Sequence, residues 1–465
     1  MKARYLITIF VLAAVLAPVG AQVRPDTGDR DAVVEAILTR AVEYLAVSKY
    51  DEAIAVFDTI PQPQRDAASL RLIRASILTS AGKFAEARAG VEAVLASEPG
   101  NIDALFMLAA IEGVTGRRQQ QQRALERIIA IEPNNAEALV SLGNVSLETR
   151  NMRQAADYFY RALNNDGRNA AAMLGLARAL RMNTEWDDAE MLLDRVVSLY
   201  PNMLEARNDR ARFYWGRGRY REALEEFDAA IKLSPNDYWL AVDKAQLLLD
   251  MDRKAESLAE FNRAIAINPN EYTPYAYTAG LRDDLGDHDG AERDYAILAR
   301  LKPDYYFALE GLGLHKMRKG EWAAARDAFM EAYRQAPNEH YFALLAAISW
   351  MRMGDVTAPR AFLNQAQNRI ARNTLEWYMF RLYYDMTSRN YQSEYDMVTR
   401  LDRETDETLK ARMLFYMAWY YELRGVTTAA NRYFRMVNEM DERAIPEWRL
   451  NEWILIAKGM HPTIF

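Results

Sequence analysis

The sequence predicts an all-α solenoid of about twelve 34-residue helix-turn-helix repeats, closed by a C-terminal capping helix. Three observations predict it. A helix breaker recurs at fixed spacing, since steps of 34 from Pro235 reach Pro99, Pro133, Gly167, Pro201, Pro269, Pro303 and Pro337. Small residues recur in the same register, and a glycine recurs between the two helices of most units. Finally, hydrophobic residues make up 50% of the 465 residues while Pro and Gly number only 15 and 21, which excludes disordered and collagen-like chains. A chain of this length would ordinarily divide into several domains, but a solenoid lengthens by adding units that touch only their neighbours, so one long array is expected.

The unit opening at Leu204 shows the pattern most clearly. Helical periodicity runs over 204–215 and 220–233, with Gly216-Arg217-Gly218 between and Pro235 after. Ala211 and Ala223 are small where two helices must approach closely, and Phe227 and Ala230 share the face that meets neighbouring units. The first-helix small position reads Ala75, Ala109, Gly143, Ala177, Ala211, Ala245, Ala279, Gly313 and Ala347. The second-helix position reads Ala87, Gln121, Ala155, Ala189, Ala223, Ser257, Ala291, Ala325 and Pro359, followed four residues later by an apolar column that includes Phe159, Phe227, Phe261 and Phe329. The turn carries Gly82, Gly116, Gly218, Gly286, Gly320 and Gly354. This pattern resembles the tetratricopeptide repeat (TPR) family over about residues 34–442. The resemblance implies a right-handed superhelix and a protein-binding function.

The elements follow in order. Residues 1–21 carry Lys2 and Arg4, an apolar run from Tyr5 to Ala17 and small residues before Gln22, as in a secretory signal peptide cut after Ala21; an uncleaved anchor is the alternative reading. The run is shorter than the ~20 residues a membrane span needs. Residues 22–33 read as a polar linker. The regular array covers 34–373: an atypical first unit, truncated by Pro61-Gln62-Pro63, precedes nine clearer ones starting near Ala68, Ile102, Ala136, Ala170, Leu204, Tyr238, Tyr272, Tyr306 and His340. Pro359 requires the second helix of the last of these to start there. Residues 374–445 read as degenerate repeats, and 446–465 as a capping helix and tail that covers the final apolar face.

Composition narrows the function. No cysteine is present, so disulfides, thiol nucleophiles and thiolate metal sites are excluded. The formal charge of −7 becomes −9 once Lys2 and Arg4 leave with the signal segment, a balance that argues against nucleic acid. His288, His315, His340 and His461 share no helical turn, no Gly-rich phosphate loop or nucleophile elbow appears, and neither a cofactor nor a metal site is expected. The chain reads as a non-enzyme.

In TPR proteins the second, fifth, ninth and twelfth positions of a unit, sometimes with the sixth and thirteenth, line the concave face. The resemblance places Asn144, Arg178, Arg181, Asn208, Asp209 and Arg212 there. Arg178 and Arg181 stand one turn apart, and Arg212 repeats Arg178 one unit on, so the three form a basic wall in an acidic protein. Such forks match carboxylates, which points to an acidic peptide segment or a C-terminal carboxylate; the other reading pairs them with Glu205 and Asp209. A carboxylate clamp of the family kind is incomplete, because Gly175 replaces its second asparagine. Asp243, Asp250, Asp283 and Asp284 then reverse the charge, before Arg318 and Arg352 restore it. The last quarter is crowded with aromatic residues. Trp377, Tyr378, Tyr384, Trp419 and Tyr420 are candidates for a second interface, including self-association; a heavier core is the other reading.

These readings converge on a non-catalytic protein-binding scaffold of the cell envelope, secreted or periplasmic, without a membrane span in the mature chain. The alternative is a structural or assembly component of a larger periplasmic complex, docking through its convex face and aromatic C-terminal section.

Overall fold

The computed structural model describes residues 28–62, 64–386 and 392–460, with side chains from Ala32 onward. The expected signal segment and the first part of the expected linker lie outside the described residues, as do Pro63, Tyr391 and His461. Among the described residues there are 25 α-helices and no strand. The first helix begins at Gly28, so the stretch assigned to a linker is already helical before position 34. The chain divides into two compact units, residues 1–233 and 234–465.

The first unit stacks six hairpins: α1 (Gly28–Ala46) with α2 (Tyr50–Phe57), α3 (Ala68–Ser80) with α4 (Phe84–Ser97), α5 (Ile102–Val114) with α6 (Arg118–Ile131), α7 (Ala136–Glu148) with α8 (Met152–Asn165), α9 (Ala170–Met182) with α10 (Trp186–Leu199), and α11 (Leu204–Gly216) with α12 (Tyr220–Leu233). The second unit continues with α13 (Tyr238–Asp250), α14 (Lys254–Ile267), α15 (Tyr272–Asp284), α16 (His288–Leu301), α17 (Tyr306–Arg318) and α18 (Trp322–Gln335). From α3 to α17 every first helix starts 34 residues after the previous one, at the residues expected from the register.

Local chemistry explains why the boundaries repeat. The turn between the helices of a hairpin needs one residue in the left-handed region, supplied by Gly218 at φ 72° and by Arg150, Thr184 and Asp252 where the column lacks glycine. Asn101, Asn135 and Asn169 start the next units, each side chain accepting a hydrogen bond from the backbone N–H three residues on. At the closing end, Glu98 is pushed off helical geometry (φ −129°, ψ 75°) before Pro99.

Packing follows the columns. Ala211, Ala223, Ala245 and Phe227 are fully buried. Ser257 takes an alanine position without leaving its hydroxyl unpaired, because Oγ donates to the Ala245 carbonyl at 2.8 Å. Phe159 occupies the space left by two glycines. A Cβ at Gly143 would stand 2.6 Å from its ring atoms Cε1 and Cζ, and a Cβ at Gly175 would overlap those same atoms. That contact accounts sterically for the residue that breaks the clamp pattern.

After Gln335 the architecture changes. Helices α19 (Tyr341–Arg352), α20 (Ala358–Gln367), α21 (Leu375–Tyr384), α22 (Gln392–Leu401), α23 (Glu407–Leu423), α24 (Thr427–Met440) and α25 (Pro446–Ala457) share one continuous core with α17 and α18. Pro359 sits in the first turn of α20, where its missing N–H leaves no bond unmade. Large side chains fill this core: Phe380, Tyr383, Phe415, Tyr416 and Phe434 are all fully buried. The capping helix was expected to cover the last apolar face. It does more, because α25 also packs against α17, several hairpins back along the chain.

Candidate functional site

In the first unit the basic wall is present but partly neutralised. Arg178 on α9 reaches across to α11, with Nε donating to Asp209 Oδ2 at 2.6 Å and Nη2 donating to Glu205 Oε1 at 2.7 Å. The register explains the meeting: position nine of one unit faces position six of the next. Burial pushes the Asp209 carboxyl up from its ordinary range, although Arg178 and Arg212 both pull against it. The pairing reading thus holds for Arg178. Other arginines nearby are also engaged, Arg207 and Arg210 with Glu226 and Arg219 with Glu190. Arg181 differs. It is half-buried, and among the described residues its guanidinium makes no ion pair or hydrogen bond. Arg212 is exposed, Asn208 half-buried, and Asn144 exposed two units earlier.

The aromatic candidates are placed otherwise than expected for a surface. Trp419 and Tyr420 are 5% and 4% exposed, so they are core residues and not an interface. The physical reason is local. Trp419 lies edge-on to Phe434 and Trp322, and Arg352 stacks over both Trp322 and Trp419, closing the space between α18, α19 and α23. Trp377, Tyr378 and Tyr384 are half-buried; Arg400 lies 3.7 Å over the Tyr378 ring and Arg360 4.9 Å over Tyr384, so cations from their own fold cover these two rings.

The second unit contains a cavity of 340 Å³ that sequence reasoning did not anticipate. Its floor comes from α15 and α17 through Ala276, Asp283, Phe307, Glu310, Gly311 and Leu314, which fall on inward repeat positions. Its roof is the N-terminal part of α25 and the preceding loop. Asp283 is the hub. Oδ1 stands 2.9 Å from His315 Nε2 and 3.3 Å from His288 Nδ1, while Arg449 Nη1 donates to Oδ2 at 2.9 Å. Burial works to raise the Asp283 carboxyl, but His315, Arg449 and His288 outweigh it and hold it below the usual carboxylate range. Glu310 accepts from Tyr341 Oη at 2.7 Å, and burial pushes its carboxyl up to about 7. His288 and His315, which share no helical turn, thus meet through the fold, their rings 6.0 Å apart. Among the described residues no group of three or more His, Cys, Asp or Glu is arranged to hold a metal ion. No described helix is long and apolar enough to cross a membrane.

Signals for this cavity were available: Asp283 and Glu310 are at the twelfth and fifth positions of their units, where inward residues are expected. Arg449 and Trp453 had no such signal, because they lie outside the repeats.

Comparison with known proteins agrees with the architecture. Two family profiles, both described as tetratricopeptide repeat, match residues 38–102, 106–170, 150–203, 174–238 and 279–340 in one case and 214–279 in the other. No curated protein matches the sequence. Solved structures similar to parts of the chain include a tetratricopeptide repeat protein from Parabacteroides merdae, 18% identical, covering 53% of this chain and 98% of that one with a TM-score of 0.45. The C-terminal part of a TPR repeat-containing protein from Cytophaga hutchinsonii is 12% identical, covers 51% and 97%, and has a TM-score of 0.43. Pseudomonas aeruginosa pilF is 20% identical, covers 43% and 92%, and has a TM-score of 0.38.

Proposed function

The chain belongs to the tetratricopeptide repeat family, and from that premise we propose that it is a non-catalytic scaffold of the cell envelope whose first unit holds an acidic segment, or a C-terminal carboxylate, of a partner protein. The observation that carries this reading is Arg181. A half-buried guanidinium without an internal partner is an expensive group to keep on an inner face, and a bidentate carboxylate from outside satisfies it. Arg212 stands at the position of Arg178 one repeat along, on the same wall. Arg178 is the anchor that Asp209 and Glu205 hold in place, and it shapes the wall rather than receiving the ligand. The signal-like segment at residues 1–21 supports export to the periplasm or beyond. The second unit offers less open inner surface, since its own C-terminal helices cover it.

The test is capture of envelope proteins by residues 22–465, as wild type and as Arg181→Gln with Arg212→Gln, at low and moderate salt. A defined partner should bind wild type, weaken as salt rises, and be lost from the double variant while the unfolding midpoint stays put. A partner held equally by both proteins at both salts would remove the basic wall from the account.

A further inference from the structure

Helix α25 has two sides of different character. One side is fixed to the last hairpin: Asn451 Nδ2 donates to the Phe434 carbonyl at 3.0 Å, and buried Glu447 accepts from Tyr416 Oη at 2.8 Å. The other side lies on α15, α16 and α17. There Arg449 spans Asp283 and Asp284 at 2.9 and 3.2 Å, and the Trp453 ring sits 5.0 Å from both His288 and His315, with the Arg318 guanidinium 5.7 Å over it. Arg449 and Trp453 are four residues apart, so they project from one helical face.

This second contact has the character of a reversible interface. It is held by a buried carboxylate, two imidazoles and a guanidinium, where a permanent core of the same volume would be more stable if apolar. The cavity of 340 Å³ beneath it shows that the roof does not fill the floor. His315 Nδ1 is buried there without a hydrogen-bond partner. The link from α24 to α25 is short, and its first residue, Asp441, is a non-glycine in left-handed geometry at φ 53°.

We infer that the inner groove of α15–α17 is a receptor for an amphipathic helix presenting arginine and tryptophan four residues apart, and that α25 is the chain's own occupant of it. The partner that fits is an amphipathic helix of another protein carrying an arginine and a tryptophan at that spacing: its arginine replaces Arg449 on Asp283 and Asp284, and its indole replaces Trp453 against the two histidines and Arg318. Binding requires α25 to leave, so the apparent affinity is the intrinsic one multiplied by the fraction of chains in which the groove is open. This receptor lies in the second unit and takes a cationic ligand, whereas the basic wall lies in the first and takes an acidic one. The two readings therefore fail separately.

The experiment uses the full chain and a fluorescein-labelled peptide of residues 444–460, followed by anisotropy. Wild type, Arg449→Gln and Arg449→Glu with Trp453→Ala are compared. The opened double variant should bind the peptide at least about tenfold more tightly than wild type, with Arg449→Gln between them. A peptide carrying Arg449→Glu and Trp453→Ala should not bind. Equal binding to wild type and to both variants, no binding to an Arg449→Gln chain of unchanged helicity, or equal binding of the altered peptide would each overturn the inference. So would a wild-type dimer that exchanges α25 between copies, because the groove would then belong to a second copy and not to a partner.

Discussion

Replacing Gly175 by alanine should destabilise the first unit, against the direction that helix propensity alone predicts. In an exposed helix interior the change gains about 1 kcal/mol, because glycine has more backbone freedom to lose. Here the new Cβ would overlap Cε1 and Cζ of Phe159 and stand 2.8 Å from Cε2. The ring is fully buried and has little room to retreat, since Gly143 packs against the same ring atoms and likewise leaves no room for a Cβ. Overpacking of this kind costs about 1–3 kcal/mol, and because three atoms of one buried ring are overlapped or crowded the upper part of that range applies, so a net loss of about 1–2 kcal/mol remains after the propensity gain. The assay is urea unfolding followed by circular dichroism, for Gly175→Ala, Phe159→Leu and the pair. Phe159→Leu loses packing on its own, but it also vacates the space that the added methyl group needs, so the double variant should be more stable than the sum of the singles by at least about 1 kcal/mol. A stabilising Gly175→Ala, or additivity within about 0.5 kcal/mol, would refute the steric account.

Two further outcomes follow from the electrostatics. Glu310 has its carboxyl raised by burial to about 7 from an ordinary 4.5, so the folded chain binds a proton there that the unfolded chain has released between those values. Its contribution is complete below about 4.5 and is lost as pH rises through about 7; Glu310→Gln, which keeps an acceptor for Tyr341 Oη, should remove up to about 3 kcal/mol of stability loss between pH 5 and pH 8. Parallel loss in both proteins, read from denaturation midpoints at the two pH values, would count against this. Asp209→Asn should leave Arg178 with Glu205 alone and make the inner wall more positive, strengthening capture of an acidic partner and steepening its salt dependence, at a stability loss on the order of 1–3 kcal/mol. Capture unchanged or weakened would show that the wall's charge is not what the partner meets.

Most of the fold was legible because the repeat makes every boundary a local decision. A left-handed turn residue, an Asn cap and a proline recur at intervals of 34, and the structure starts its helices at the residues those signals select. Interactions one repeat apart were legible for the same reason. Arg178 and Asp209 are separated by 31 residues, which in this register means adjacent first helices, so their pairing stood among the readings of the sequence. The aromatic end was ambiguous for a physical reason: Trp419 and Tyr420 have the composition of an interface, and only the closure of α18 and α19 over Trp419, and the contacts of Tyr420 with Tyr383 on α21 and Glu394 on α22, make them core.

The latch of α25 was not legible, and its range shows why. Arg449 meets Asp283 across 166 residues, a separation with no relation to the repeat, and only the fold-back of the last helices brings them together. What the sequence did carry was the conflict left behind. Asp283 is a buried carboxylate at an inward position, close to Ala276, Gly311 and Leu314 in the cavity lining, and a carboxylate in such a place needs a cation. The array supplies two histidines nearby but, among the described residues, no arginine or lysine in contact with Asp283 from within the repeats; the cation arrives on the capping helix. A site whose charge balance is completed by a separate, terminal element is one that another helix of like chemistry is able to complete, and this is why the groove reads as a receptor with its own ligand attached.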